Sequence, residues 1–142
     1  MTIISTKLSF QVILDLLKRG DDDFNPSLTQ SVDILSYAEK LSKYANFVIV
    51  KECDTIVGCN AFYINDEGRF IYISHYWVSS KYQHNHYGQR MLETLIADNK
   101  IKYNEIRLEV IKDNPAFLFY KKNGFEIQED RGNKYLLTLL LK

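Results

Sequence analysis

The chain reads as a mixed α/β fold of the α+β kind, with one twisted mixed sheet of about six to seven strands flanked by about four helices. Helical and strand periodicities alternate along it, so that helices are interleaved with strands and do not form a bundle of their own. Its 142 residues, 46% apolar and 25% charged, fit a single domain spanning residues 1–142 with a buried core. With only two prolines and six glycines, the composition is that of a globular protein and not of a disordered or collagen-like one.

Leu8, Val12, Ile13, Leu16 and Leu17 recur at helical spacing, and Gly20 stands where a left-handed C-cap would sit, so a first helix is expected over Leu8 to Arg19. After the acidic turn Asp21, Asp22, Asp23, the stretch Ser27 to Ala45 places Ile34, Leu35, Ala38 and Leu41 on one helical face. Ser27 with Gln30 has the capping-box pattern, and Ser31 serves equally as a start. Phe47 to Val50 and Thr55 to Ile64 are β-branched runs joined through Cys53-Asp54, the pattern of a hairpin. Asn65-Asp66-Glu67-Gly68 is a turn cluster, and Phe70 to Val78 follows as a third, central strand. Strict alternation there puts Tyr72, Ser74 and Tyr76 on one face and Ile71, Ile73, His75 and Trp77 on the other.

Gln89 to Lys102 shows Met91, Leu92, Leu95 and Ile96 on a helical face, with Asn104 as a left-handed C-cap. Glu105 to Ile111 alternates as a strand, with Ile106, Leu108 and Val110 on one side. The last helix, Pro115 to Asn123, is the best punctuated: Asn114 suits the N-cap, Pro115 the first turn, and Gly124 stands just past the end. Phe125 to Glu129 and Tyr135 to Leu141 are two more strands, joined by the turn-forming Asp130 to Asn133.

Eighteen Lys plus Arg balance eighteen Asp plus Glu, so the chain has no global attraction to nucleic acid or anionic lipid. An RNA-binding sheet built on Tyr72, Tyr76 and Trp77 is disfavoured for the same reason. Lys7, Ser9, Gln11 and Asp15 interrupt the N-terminal apolar pattern, which is unlike a signal peptide and points to the cytoplasm. The run Leu136 to Leu141 is far shorter than the ~20 apolar residues that span a bilayer. The spacing of Cys53 and Cys59 matches neither a zinc pair nor a redox dithiol, leaving both as core or turn thiols.

Any anion site must therefore be local, and Gly68 to Leu92 supplies one candidate. That segment has no acidic side chain, while Arg69, His75, Lys81, His84, His86 and Arg90 all fall in it. Its turn, Gln83-His84-Asn85-His86-Tyr87-Gly88, opens directly onto a helix N-terminus, whose unpaired N–H groups and dipole suit phosphate oxygens. A solvated loop before a helix gives the same local pattern. His84 and His86 sit at alternate positions, but no third metal ligand is near them in sequence.

Two motifs together resemble the GNAT superfamily of acetyl-CoA-dependent N-acyltransferases. The first follows Val78 and runs Gln83, His84, Asn85, His86, Tyr87, Gly88, matching the family's pattern of Gln or Arg, two residues, Gly, one residue, then Gly or Ala. The second runs Asn114, Ala116, Tyr120, Lys121, Lys122, Asn123, Gly124, Phe125, matching a helix that starts with Asn and ends in Tyr with a later Gly-Phe. The resemblance spans roughly Phe47 to Lys142, and the two N-terminal helices fit it as well. One departure stands out: His86 occupies the first glycine position of the cofactor motif, where positive φ and close backbone approach to pyrophosphate are wanted.

The resemblance implies acetyl-CoA as acyl donor, contacted by Val78, Gln83, His84, Asn85, His86, Tyr87, Gly88, Gln89, Asn114 and Tyr120. It implies an opening between the strand ending at Val78 and the strand Glu105 to Ile111, with an N–H near Val78 stabilising the oxyanion that amine attack creates. Tyr120 would give the leaving thiolate its proton, or else pack in the core. The family often bulges the strand ending at Val78, which would switch its parity. His75, the one imidazole on that strand, is either the base for the amine or a buried structural histidine. The acceptor implied is a small-molecule amine or amino sugar, with a peptide amine second, and homodimers are common in the family. Asp21, Asp22, Asp23 and Phe24 would wall the acceptor side and attract a cationic amine, or form a solvated turn. A coenzyme A sensor without catalysis is the competing class.

Overall fold

The computed structural model of the chain describes residues 1–23 and 32–141. The elements are β1 (Thr2–Thr6), α1 (Phe10–Arg19), a 3₁₀ turn (Asp21–Asp23), α2 (Ile34–Tyr44), β2 (Asn46–Glu52), β3 (Thr55–Asn65), β4 (Phe70–Val78), a second 3₁₀ turn (Ser80–Asn85), α3 (Tyr87–Asn99), β5 (Glu105–Ile111), α4 (Ala116–Lys122), β6 (Glu126–Asp130) and β7 (Lys134–Leu140). Seven strands form one sheet in the order β1, β2, β3, β4, β5, β7, β6. Among the described residues only β4 and β5 pair in parallel; every other neighbour is antiparallel. Among the described residues no helix is long and apolar enough to cross a membrane.

Each face of the sheet carries its own core. On one face Ile13, Leu16 and Leu17 of α1 and Ala38 and Leu41 of α2 pack on Phe47, Ile49, Cys59, Ala61 and Trp77. On the other, Met91, Leu92 and Leu95 of α3 pack on Val48, Val50, Ile71, Ile73, Ile106 and Leu108, and Tyr120 and Phe125 join them from α4 and its end. Cys59 is buried and Cys53 is exposed in the β2–β3 turn at φ 55.

The helix ends follow local chemistry. Ser9 caps α1 by accepting the Val12 N–H at 3.3 Å, which starts the helix two residues later than Leu8. Asp33 caps α2 through the Ser36 N–H at 3.2 Å, so this helix begins at Ile34; the start signals Ser27, Gln30 and Ser31 lie outside the described residues. Gly124 is left-handed, at φ 95, as its place after α4 requires. Gly20 is not left-handed: its φ is −91, and its role is spatial, because a Cβ there would lie 2.7 Å from Nε1 of Trp77. Asn104 is not left-handed either; α3 ends at Asn99, and Asn104 ties the start of β5 to that of β4 by donating its N–H to the Arg69 carbonyl at 2.8 Å. One strand escapes the periodicity altogether: β1 is an edge strand with three of its five residues exposed, and its Thr/Ser-flanked Ile pair has no alternation to reveal it.

β4 is bulged. Ala61 faces His75 while Phe62 faces Ile73, so Ser74 is the extra residue. The bulge overturns the strict alternation read from sequence: Ile71 and Ile73 point into the α3 core, whereas Trp77 belongs to the α1–α2 core and His75 meets Tyr37 of α2 edge-on at 6.1 Å. Tyr76 and Val78 thereby turn toward the α3 face.

Candidate active site

The sheet splits in its middle. β4 and β5 pair only at Phe70, Ile71 and Tyr72 against Glu105, Ile106 and Arg107, while β4 stays bonded to β3 as far as Val78 and β5 to β7 as far as Ile111. Beyond the third pair their facing edges carry backbone groups with no ladder partner between them among the described residues. Ser79 donates its N–H to Val57 across β3 at 2.8 Å, so strand alternation turns the Val78 N–H the other way, into the gap.

A cleft of about 1100 Å³ opens at this split. Tyr76, Trp77 and Val78 of β4 and Ile111 of β5 line it, with Gln83, His86, Gly88 and Gln89 from the start of α3 and Pro115, Ala116, Phe119, Lys122 and Asn123 from α4. Asp23, Asp113 and Asn114 complete the wall. Trp77 packs in one core and Val78 against the other, yet both face the cleft, so the cleft passes through the sheet from one face to the other.

On the α3 face the wall suits an anion. His86 takes the left-handed conformation, φ 61 and ψ 23, that the glycine pattern asks for, and a histidine adopts it at modest cost. Its side chain does not cap α3, and the first turn holds no acid, so the N-terminal N–H groups and the dipole are left for a ligand. A Cβ on Gly88 would meet Tyr76 and Val78 at 3.6 to 3.9 Å, ordinary contacts, so this glycine keeps the wall low and is not forced by a collision. The Tyr76 hydroxyl donates to the Gly88 carbonyl, tying the bulged strand to the helix start. Gln83 donates through Nε2 to the Val78 carbonyl at 3.2 Å, fixing the turn to the strand end.

The predicted cofactor residues do not all face the cleft. Val78, Gln83, His86, Gly88, Gln89 and Asn114 line it. His84 and Asn85 are exposed and lie off its wall, and the Tyr87 ring is buried, stacked on Tyr82 with its hydroxyl donating to Glu52. Tyr87 therefore anchors the turn to the end of β2 and presents only its backbone to the helix start. Asn114 accepts the Ala116 N–H at 2.9 Å, capping α4 while it lines the cleft.

Tyr120 lies behind the wall. It is 7% exposed, with its ring 6.1 Å from Tyr76 and 5.4 Å from both Phe119 and Phe125, and burial raises its phenol above the usual range. His75 is 6% exposed and also absent from the wall; burial pushes its pKa down to about 4, below the range for proton exchange at neutrality. Sequence reasoning missed Asp113, Ile111 and Phe119 as wall residues. Pro115, Ala116, Phe119, Lys122 and Asn123 do fall at helical spacing on one face, a signal that was there to be used. The bond from Gln89 Nε2 to Asn123 Oδ1, 2.6 Å across the cleft, had no signature in either helix alone.

The acetyltransferase (GNAT) family profile matches residues 13–125 of the chain. No curated protein matches it in sequence. Among solved structures, the chain is similar to the PaiA N-acetyltransferase from Thermoplasma acidophilum in complex with coenzyme A, at 21% identity, covering 99% of each chain with a TM-score of 0.78. It is similar to the ribosomal-protein-S18-alanine N-acetyltransferase from Escherichia coli, at 14% identity over 99% of this chain and 95% of that one, with a TM-score of 0.75. It is also similar to NAA60 from Arabidopsis thaliana in complex with a bisubstrate analogue, at 14% identity over 98% of each chain, with a TM-score of 0.76.

Proposed function

Because the chain belongs to the GNAT acetyltransferase family, we propose that it is an N-acetyltransferase moving the acetyl group of acetyl-CoA to a primary amine by direct attack in a ternary complex. A small amine or amino sugar is the acceptor on this reading. One observation carries it: an uncapped helix N-terminus and the open edge of a split strand line the same cleft. The first suits the phosphates of the donor and the second suits an extended, amide-bearing arm, so the residues present fit the group.

Bound acetyl-CoA supplies a thioester, whose C–S bond is exchanged for an amide C–N bond to the acceptor while coenzyme A leaves as the thiol. The chain's own residues do the rest. The N–H groups at Gly88 and Gln89, with Lys122 opposite, hold phosphate oxygens. Asn114, whose Oδ1 is engaged in the cap, keeps its Nδ2–H₂ for an amide carbonyl in the cleft. The Val78 N–H, turned into the gap, donates to the oxygen that gains charge during attack, and a fixed donor there does not have to reorganise as water must. Tyr120 holds its proton because burial raises its phenol, and on this reading it gives that proton to the departing sulfur and regains one from the water that takes the amine's proton. His75, neutral and packed on Tyr37, keeps the bulge in shape, and the amine loses its proton to water in the cleft.

Thermal unfolding with acetyl-CoA, against free adenosine phosphates as controls, tests the donor. Ligand at a hundred times its dissociation constant adds ~2.7 kcal/mol, which raises the midpoint by roughly 2 to 8 °C for a domain of this size. A shift, followed by thiol release with a panel of amines, supports the reading; a shift with no thiol release from any amine makes the protein a coenzyme A sensor, and no shift at millimolar ligand removes the donor. A second reading, acetylation of a peptide or protein amine, draws support from the neighbour named as a ribosomal-protein-S18-alanine N-acetyltransferase. Thiol release with peptides and none with small amines would establish it.

A further inference from the structure

One hydrogen bond crosses the cleft from wall to wall. Gln89, in the first turn of α3, donates through Nε2 to Oδ1 of Asn123, the C-cap of α4, at 2.6 Å, and both residues line the cleft. Among the described residues no second hydrogen bond joins α3 to α4 or its cap. On this face the walls otherwise meet through rings, Tyr76 against Phe119 at 5.9 Å and against Tyr120 at 6.1 Å. The β4–β5 ladder has already ended at Tyr72 and Arg107, so no backbone pairing backs the bond up across the split.

Each half of the bond keeps its footing when the bond is broken. Asn123 donates its Nδ2 to the Phe119 carbonyl at 2.8 Å, and its backbone N–H reaches the Phe119 and Tyr120 carbonyls at 3.2 and 3.1 Å, so Oδ1 is held toward Gln89. Gln89 has a second partner for the same Nε2 on its own helix, Oε2 of Glu93 one turn on at 3.3 Å. An amide –NH₂ carries two hydrogens, so release from Asn123 leaves the Glu93 bond standing. Both side chains are half-buried at the cleft, where water can take up the freed positions. Opening therefore strands no buried polar group and costs only one neutral hydrogen bond. The backbone N–H of Gln89 faces the phosphate side of the cleft while its side chain holds the opposite wall.

We infer that the Gln89–Asn123 bond is a strap across the donor's path: it opens to admit acetyl-CoA, recloses on it, and opens again to release coenzyme A. The inference rests on the acetyl-transfer reading above and goes beyond it by assigning to this pair the rate of donor exchange and not its affinity. A strap closed in both the free and the loaded protein is a barrier in both directions, so its loss speeds entry and exit alike and leaves their ratio in place. A side chain that merely touches the ligand changes exit alone.

The probe is etheno-coenzyme A, a fluorescent analogue of coenzyme A. Its anisotropy in stopped flow gives kon on mixing with protein and koff on chasing with excess coenzyme A. Asn123→Ala and Gln89→Met, which keeps the side-chain length and the backbone N–H, should each raise kon and koff together by about two- to tenfold, the kinetic equivalent of one neutral hydrogen bond. Because the two variants alter different helices, a shared result does not rest on the stability of either one. The double variant should be no faster than the single ones, since all three lack the same bond. A rise in koff with kon unchanged makes the residue a ligand contact, and a rise in kon alone makes the bond a plug that the donor displaces; either result overturns the strap, as do unchanged rates or additive effects. The acetyl-CoA thermal shift of the wild type separates this failure from a deeper one. A shift accompanied by any of those rate patterns removes the strap and leaves the donor assignment standing, whereas an absent shift removes the acetyl-transfer reading and the strap with it.

Discussion

His86 holds a backbone conformation, φ 61 and ψ 23, that glycine adopts freely and a β-branched residue resists. His86→Gly should leave stability within about 1 kcal/mol of wild type, because relief of the left-handed cost offsets the added chain entropy. His86→Val should lose about 1 to 2 kcal/mol in urea unfolding and weaken acetyl-CoA in the same thermal assay. If the glycine variant binds acetyl-CoA more weakly, the imidazole itself touches phosphate. Tyr120 poses a different question at the same scale. Its hydroxyl makes no hydrogen bond among the described residues, so Tyr120→Phe should barely move the melting midpoint. Turnover should nonetheless fall by about a hundredfold with acetyl-CoA binding unchanged, the size expected of a lost proton donor. Unchanged turnover would remove Tyr120 from the mechanism and leave Tyr76, which lines the cleft, as the phenol to test next.

Elements set where those side chains point, and the bulge in β4 does so for the whole site. Tyr37 clasps it from α2, its hydroxyl 3.0 Å from the Ser74 carbonyl and 2.7 Å from Ser74 Oγ. Tyr37→Phe should cost about 1 to 2 kcal/mol in denaturant unfolding, since two partners at the extra residue lose their bond. Sequence periodicity locates β4 but cannot locate the bulge: Ile71, Ile73, His75 and Trp77 look like one apolar face, and only pairing with β3 shows where the count slips. The same limit hides the site's far wall. α4 was readable to within a residue because Asn114, Pro115 and Gly124 each obey a backbone rule. Asp23 and Gly20 obey none; Gly20 looks like a helix terminator, and its use as space for the Trp77 indole depends on a strand more than fifty residues away. β1 was missed because an exposed edge strand has little burial to impose a pattern. Tyr120 and His75 were legible as residue types and not as positions, since burial is a property of what surrounds them.

For the molecule as a whole, the burial of His75 links stability to pH. Its pKa falls from 6.5 to about 4 on folding, so between those values the unfolded chain binds a proton that the folded one refuses. The resulting stabilisation is complete above pH about 6.5 and is lost as pH falls toward 4, a difference on the order of 3 kcal/mol. Urea unfolding of wild type and His75→Gln across that window should show a steeper decline for wild type; parallel curves would mean the imidazole is hydrated in the folded state. The two cores are joined through one sheet, and that sheet is continuous in its centre only across three residue pairs between β4 and β5. Mechanically this is a hinge with the cleft as its open jaw: β1 to β4 form one leaf, β5 to β7 the other, and α3 packs across the joint between them. A ligand lodged in the jaw acts as a wedge bonded to both leaves. Amide exchange should then slow in Phe70–Tyr72 and Glu105–Arg107, remote from any contact with the ligand, because opening the hinge would first require expelling the wedge.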